Sequence, residues 1–427
     1  MKKGNVYRIY PNKEQRTLLE QHFGATRFVY NHSLFIKNLM YHRFRINVTE
    51  IDLNNHLSSL KETYPWLKNI NSQSLQQVNR NLLTGFKSFF NGNGFYPTRK
   101  KKKDNHFSFQ VPQSYQINLT SSQIYLPKIG WMKIILHRDF LSKEFIKENL
   151  VTKEVSGEII LDQKLNREFK VLKTLTVSRT SAGRYHVSIL VEDNKPYPEP
   201  ESFTEETTVG IDVGIKSFAV LSTGEVIENP KFLKRSLKKL IKLQRSVSRK
   251  QKGSKNRKKA VIKLAKQHQL VANQRNDFQH KVSATIIREN QAVALEDLNV
   301  KGMIRNHCLA QSITDVGWSG FIQKLTYKAE WLGKTILKIG RFEASSKLCN
   351  ICGYKFSDLT LDIRKWECPS CKTLHDRDRN ASLNIKKIAL NDLNTHGTWG
   401  RACGLTGIGQ ENETRSPRFY PEVVHHR

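Results

Sequence analysis

The sequence predicts a multidomain α+β protein, and three patterns carry that prediction. Between residues 12 and 90, apolar residues recur at helical spacing. Between residues 107 and 192 they come in short alternating runs, the pattern of antiparallel strands. After the Pro-rich stretch KPYPEPES at 195–202, short apolar strands are interspersed with helical segments, the pattern of an α/β layer. At 427 residues the chain is long enough for two to four domains.

The elements follow in order. VYRIYP, from residue 6, alternates and stops at a proline, so it reads as a short strand. From Asn12 to about Tyr41, Leu18, Leu19, Phe23, Phe28, Val29 and Leu34 mark a helix. In residues 64–90, Ser72 is placed to cap a second helix, and Leu75, Val78, Leu82, Phe86 and Phe89 form its apolar stripe. Gln73, Gln76, Gln77 and Arg80 lie off that stripe. Either they form a solvated face or they contact bases, since glutamine pairs bidentately with adenine. GNGFYPTRKKKKDN at 92–105 is a loop with a basic run that begins Arg99, Lys100, Lys101. HFSFQV, YQINLT, QIYLPK and WMKIILH then read as strands, and LKTLTVSRT and RYHVSILVED flank an SAG turn as a hairpin. Together they predict a small antiparallel β-barrel.

In the second half, TVGIDVG, SFAVLS and GEVIEN read as three successive strands. Residues 231–276 are helical with a break near KGSKN. AVALEDL at 292–298 is a buried strand. A helix near 317–333, the strand KTILKIG, a cysteine segment and the helix ASLNIKKIAL follow. The tail from about Asn391 is Gly-rich and polar, and irregular structure is expected there.

Charge narrows the function. The chain has 71 Lys+Arg against 38 Asp+Glu, a net charge of +33. A polyanionic partner is expected, the bland alternative being a nonspecific basic protein. The helical segment from Lys231 to Lys263 carries fifteen Lys/Arg and no acid. Leu233, Leu237, Leu240, Ile241 and Val247 give it a packing face, leaving Lys238, Lys242, Arg245 and Arg249 as candidates for phosphate contact. No apolar run is long enough to span a membrane, and the start has no signal-peptide core, so a cytoplasmic protein is expected.

Two sets of residues point to metals. Cys349-x-x-Cys352 and Cys368-x-x-Cys371 have the spacing of a closed structural Zn²⁺ site, with an iron–sulfur cluster as the alternative. Cys308 and Cys403 stand apart as ordinary thiols. The second set is acidic. In a strand, Gly210, Asp212 and Gly214 share one face, which places a carboxylate between two glycines and gives it open space for a metal and a phosphate. Glu296, with Asp297 beside it, ends another apolar strand, and Asp376 and Asp378 precede a helix. In this order, three carboxylates converging on one sheet edge can hold two Mg²⁺ ions for phosphodiester hydrolysis, the RNase H-like, RuvC-type layout.

The chain resembles the TnpB (OrfB-type) family of bacterial insertion sequences, related to type V CRISPR effectors, over about residues 6–390. The motifs are YRIYPNKEQRTLLEQHFGATRFVYN, YPWLKNINSQSLQQVNRNLLTGFKSFF, GFYPTRKKKK, VGIDVGIKSFAV, VALEDLNVKGM and HDRDRNASLNI. The resemblance implies an RNA-guided DNA endonuclease that binds a guide RNA copied from the transposon end. It implies recognition of a short target-adjacent motif in double-stranded DNA and cleavage at Asp212, Glu296 and Asp378. Asp378, not Asp376, is the acid of the family's D-x-N-A motif. The implied architecture is a wedge-type β-barrel (1–15 and 92–197) with an inserted helical recognition domain (16–91). A RuvC-like nuclease domain (203–345 and 374–392) carries an inserted zinc-ribbon target-loading module (346–373), and an irregular tail (393–427) ends the chain. A prokaryotic, nucleoid-associated location is also implied. Residues 139–170 are longer than the family's usual connection, which leaves the local barrel topology open. Two other functions fit the residues: a guided DNA binder that does not cut, and a RuvC-type nuclease that needs no guide.

Overall fold

The computed structural model describes residues 1–104, 107–137, 146, 152–155, 158–162, 172–192, 196–341, 343–360 and 363–396. The chain divides into two compact units: residues 1–197 with 232–274, and residues 198–231 with those from 275 onward.

Unit one holds a nine-stranded antiparallel sheet. Its strands are β1 (Lys2–Tyr10), β2 (Phe107–Val111), β3 (Gln116–Asn118), β4 (Gln123–Leu126), β5 (Gly130–Ile135), β6 (Thr152–Val155), β7 (Glu158–Asp162), β8 (Leu172–Arg179) and β9 (Tyr185–Glu192). Their order is β2-β8-β9-β1-β5-β4-β3-β7-β6. Strict alternation makes this sheet: in β9, Tyr185, Val187, Ile189 and Val191 are buried while the residues between them are half-exposed. The inward side chains of eight strands, with Leu19 and Phe23 from the first helix, form one apolar core, so the sheet is curled around it. The expected barrel is therefore a curled sheet: β2 and β6 are its edges, with no pairing between them among the described residues. Within the long connection 139–170, β6 and β7 form a hairpin that lengthens the β3 edge, through the pairing of Ile117 with Leu161. The rest of that connection lies outside the described residues.

Helices α1 (Lys13–Phe44), α2 (Glu50–Thr63) and α3 (Ser72–Phe90) form a second core around Val29, Leu53, Leu57, Leu75 and Leu82. Helix α2 opens on a Thr49–Asp52 capping box and buries Leu53, Leu57 and Leu60 at helical spacing, a signal that sequence reading passed over. The cap of α3 is Asn71, whose side chain accepts from Gln73 N, and not Ser72. Ser72 Oγ instead accepts from Lys61 Nζ at 2.7 Å. Helix α1 belongs to both cores, and its Glu20 is fixed to the sheet by Arg179 Nη1 at 2.6 Å and Tyr185 OH at 2.9 Å. The basic segment forms α4 (Phe232–Ser248) and α5 (Lys255–Glu289), broken at 249–254 as KGSKN suggests. Arg257 folds the α5 start back, donating to Val247 O at 2.8 Å and Lys250 O at 3.2 Å.

Unit two is built on a five-stranded sheet of β10 (Thr208–Val213), β11 (Ser217–Leu221), β12 (Val226–Glu228), β13 (Ala292–Glu296) and β14 (Thr335–Ile339), in the order β12-β11-β10-β13-β14. Strands β10, β13 and β14 are parallel; β11 runs antiparallel to β10, and β12 antiparallel to β11. Between β13 and β14 lie α6 (Val300–Met303), α7 (His307–Val316) and α8 (Trp318–Leu332). One sheet face, with Val209, Ile211, Val293 and Leu295, packs on Ile286 and Ile287 of α5 and on Ile313, Phe321 and Leu325. The other face carries Ala292, Ala294, Leu337 and Ile339 against Ile385 and Ala389 of α9 (Arg377–His396). Small residues on that face let α9 approach closely. A Cβ on Gly210 would lie 2.1 Å from Ser382 O and 2.8 Å from Lys386 N. The glycine beside Asp212 is therefore covered by a helix and is not open space for a metal or phosphate. Helix α9 runs past the expected start of irregular structure to His396, and residues 397–427, with Cys403, lie outside the described residues. Among the described residues, no helix is long and apolar enough to cross a membrane.

Candidate functional site

The acidic residues meet at one end of the unit-two sheet. Ile211 pairs with Leu295 on the parallel strands β10 and β13, so Asp212 and Glu296 follow side by side at the strand ends. Both share the face covered by α9, since side chains alternate along each strand. Asp378 stands in the first turn of α9. Asp212 is half-buried. Burial first, then the negative charges of Glu296 and Asp378, push its carboxyl well above the usual carboxylate range, while Arg377 and Arg364 pull in the opposite direction.

Each neighbouring acid has a distinct role. Asp297 is bound by Arg341 Nη2 at 2.6 Å, which leaves Glu296 as the inward acid of that pair. Glu296 Oε1 accepts from the Ser345 hydroxyl. Asp376 Oδ1 accepts from the backbone N–H groups of Asp378 and Arg379 at 3.2 and 3.1 Å, so it caps α9. Asp378 accepts from Arg364 Nη1 at 2.9 and 3.3 Å. The three acids do not form a tight cage of ligand atoms; among the described residues that geometry is found in the cysteines alone. Their donor set is all carboxylate oxygen, which suits a hard cation such as Mg²⁺.

The four cysteines are gathered by two similar turns. Gly353 N donates to Cys349 O and Lys372 N to Cys368 O, each at 2.9 Å. The residue after each C-x-x-C adopts a left-handed conformation, Gly353 at φ 76° and Lys372 at φ 60°. All four Sγ atoms lie within 4.8 Å of one another, and the pairs Cys349–Cys371 and Cys352–Cys368 are 3.6 Å apart. A tetrahedral zinc with Zn–S of about 2.3 Å needs sulfurs about 3.8 Å apart, so the cluster fits the ion. Hydrogen bonding with the Thr373 side chain and backbone holds the Cys371 thiol down at about 6, while burial pushes Cys349 up to about 11. His375 Nε2 lies 3.1 Å from Cys349 Sγ and its ring packs on Trp366. The hairpin of β15 (Lys365–Glu367) and β16 (Leu374–Asp376) joins the cysteines directly to α9.

The candidate nucleic-acid contacts are in unit one. Gln76 is exposed. Gln77 Nε2 donates to Asn81 at 3.1 Å, and Arg80 pairs with Glu50 at 3.1 Å. Gln73 is half-buried, and its buried Oε1 has no hydrogen-bond partner. Arg99, Lys100 and Lys101 lie on a loop pinned by two hydrogen bonds between Asn31 and the Lys100 backbone. The Lys100 ammonium sits 3.9 Å from the Tyr30 ring centroid. Lys238, Lys242, Arg245 and Arg249 are all exposed on or just after α4. Sequence reading missed Ser345, Arg341 and Arg364, none of which carries a motif of its own. The one signal was their nearness to a strand end or to the cysteine hairpin.

Comparison with known proteins identifies the family. A family model for the IS605 OrfB protein, described as "Probable transposase", matches residues 186–307. A Cas12f1-like TNB domain model matches residues 318–385, and an IS605 OrfB helix-turn-helix model matches residues 1–46. A Streptomyces pristinaespiralis protein named "Putative RNA-guided DNA endonuclease" is 37% identical over 395 residues, 91% of this chain and 90% of its own length. The Escherichia coli (strain K12) protein named "Putative RNA-guided DNA endonuclease InsQ" is 29% identical, covering 89% of this chain and 90% of its own. The solved Cas12f1–sgRNA–target DNA complex shares the fold, with a TM-score of 0.53 at 14% identity over 90% of this chain and 98% of that one. With a relative this similar along nearly its whole length, the chain belongs to the TnpB family of IS605 OrfB-type proteins.

Proposed function

We propose that this chain is an RNA-guided DNA endonuclease whose RuvC-type site is built from Asp212, Glu296 and Asp378. The observation that carries the reading is the meeting of these acids, from β10, β13 and α9, at the ends of parallel strands in a β12-β11-β10-β13-β14 sheet. That strand order is the RNase H-like one. Guidance by RNA and action on DNA come from the names of the relatives.

The three carboxylates would hold two Mg²⁺ ions, which supply activation of water and stabilisation of the leaving oxygen in phosphodiester hydrolysis. The chain's own residues prepare this. Asp212 is half-buried beside the negative charges of Glu296 and Asp378, an arrangement that a divalent cation would relieve. Asp376 sets the first turn of α9 and so orients Asp378. Arg364 and Arg377 place positive charge beside the acids, where a phosphate backbone would pass. The cysteines would hold one structural Zn²⁺ and leave it no open position.

The exposed cations of α4, with no acid nearby in sequence, suit the backbone of a guide–target duplex read by shape. In this reading the curled sheet is the wedge domain and α1–α3 form the recognition domain. The cysteine ribbon is the target-loading module, and the protein works in the cytoplasm at the nucleoid. The test is cleavage by protein purified with its RNA and again after RNase treatment. Guide-dependent cutting that vanishes in Asp378→Ala, with DNA binding kept, is expected. Full activity without RNA would remove the guide from the proposal.

A further inference from the structure

The segment between β14 and the cysteines connects the two clusters. Ser345 is buried there, and its hydroxyl donates to one oxygen of Glu296. The main chain of the same segment is held from α9. Asn384 Nδ2 donates to Ser345 O at 2.7 Å and to Leu348 O at 2.6 Å. Asn380 Nδ2 donates to Leu348 O at 2.6 Å, and its Oδ1 accepts from Asn350 N at 3.0 Å. Both asparagines are buried, one turn apart, on the helix that carries Asp378. Two side-chain amides are thus committed to fixing one short loop. That loop presents a hydroxyl to Glu296 at one end and begins the cysteine site, with Cys349, near the other.

We propose that Ser345 is a positioning residue for Glu296. Pinned by Asn380 and Asn384, the loop 345–350 ties the setting of this carboxylate to α9 and to the cysteine site. A glutamate has several rotatable bonds, and leaving it free before an ion binds costs affinity. A hydrogen bond from a fixed hydroxyl removes part of that cost, as partners behind metal ligands generally do. The inference rests on the reading of Glu296 as an ion-holding acid.

The test uses full-length Ser345→Ala, which removes the hydroxyl and adds no volume. Mn²⁺ binding to the nucleic-acid-free protein is followed by electron paramagnetic resonance, and the Mg²⁺ requirement of guided cleavage is measured alongside. The Mn²⁺ dissociation constant and the Mg²⁺ concentration for half-maximal cleavage should both rise about tenfold. Cleavage at saturating Mg²⁺ and the zinc content should stay at the wild-type level. Unchanged Mn²⁺ and Mg²⁺ dependence would overturn the positioning role, and so would loss of zinc, which would show a structural role. Glu296→Ala is run in parallel. If it too leaves Mn²⁺ binding unchanged, the ion site itself is misassigned. Weakened binding there beside an unaffected Ser345→Ala refutes the positioning role alone.

Discussion

The four cysteines come from residues 349 to 371 and are gathered by two local turns, whereas the three acids come from residues 212 to 378 and are gathered by a sheet and the helix packed across it. The cysteine cluster has ligand atoms already close together. The acid cluster has a loaded Asp212, an Asp378 bound by Arg364 and a Glu296 held by Ser345. A local turn fixes sulfur positions through a few backbone bonds. Distant carboxylates depend on every packing contact between them, so the acid site should be sensitive to changes far from its ligands.

The largest expected effects separate the two clusters by activity. Asp378→Ala, Glu296→Ala or Asp212→Ala should abolish cleavage while zinc content and guided DNA binding persist; cleavage that survives in Asp378→Ala would end the acid assignment. Cys368→Ser should release zinc, measured by atomic emission, and loosen the hairpin that leads into α9, because structural zinc binding is worth about 10–16 kcal/mol in small zinc domains.

Gly210→Ala probes the dependence on distant packing. Its Cβ meets backbone atoms of α9, which cannot swing aside as a side chain can. A loss of about 1–3 kcal/mol is expected in thermal or urea unfolding, with weaker cleavage and normal zinc. An unaffected protein would mean that α9 tolerates displacement and that the acid site is less exacting than its packing suggests.

A pH series tests the charge repulsion. A carboxyl whose pKa is raised on folding contributes stability that is present at low pH and is lost as pH rises through the folded value. Stabilisation of the protein by Mg²⁺ should therefore grow as pH rises, because the ion relieves repulsion only where Asp212 is ionised. Melting temperatures at several pH values with and without Mg²⁺ measure this, and Asp212→Asn should flatten the dependence. The smallest effect belongs to Asp376→Ala, which removes a helix cap worth about 1 kcal/mol. Cleavage should be reduced but present, so a dead Asp376→Ala beside an active Asp378→Ala would reverse the two roles.

Much of this was legible in the sequence because it is local. The C-x-x-C spacings, the alternation in β9, the helical stripe of α3 and the break between α4 and α5 each depend on residues near one another in the chain. The cap of α3 moved by one residue, from Ser72 to Asn71, because capping depends on backbone angles that spacing does not fix. Helix α2 was passed over although it is locally encoded: Leu53, Leu57 and Leu60 recur at helical spacing behind a Thr49–Asp52 capping box.

The sequence by itself determined the candidate ligand types, the basic segment and the order of the motifs, since residue chemistry and spacing are written directly in it. The tertiary structure decided which face of Gly210 is filled, how the sheet curls, and which hydroxyl and amides hold Glu296 and its loop. These depend on contacts between residues far apart in the chain, and no local pattern records which distant side chain will arrive.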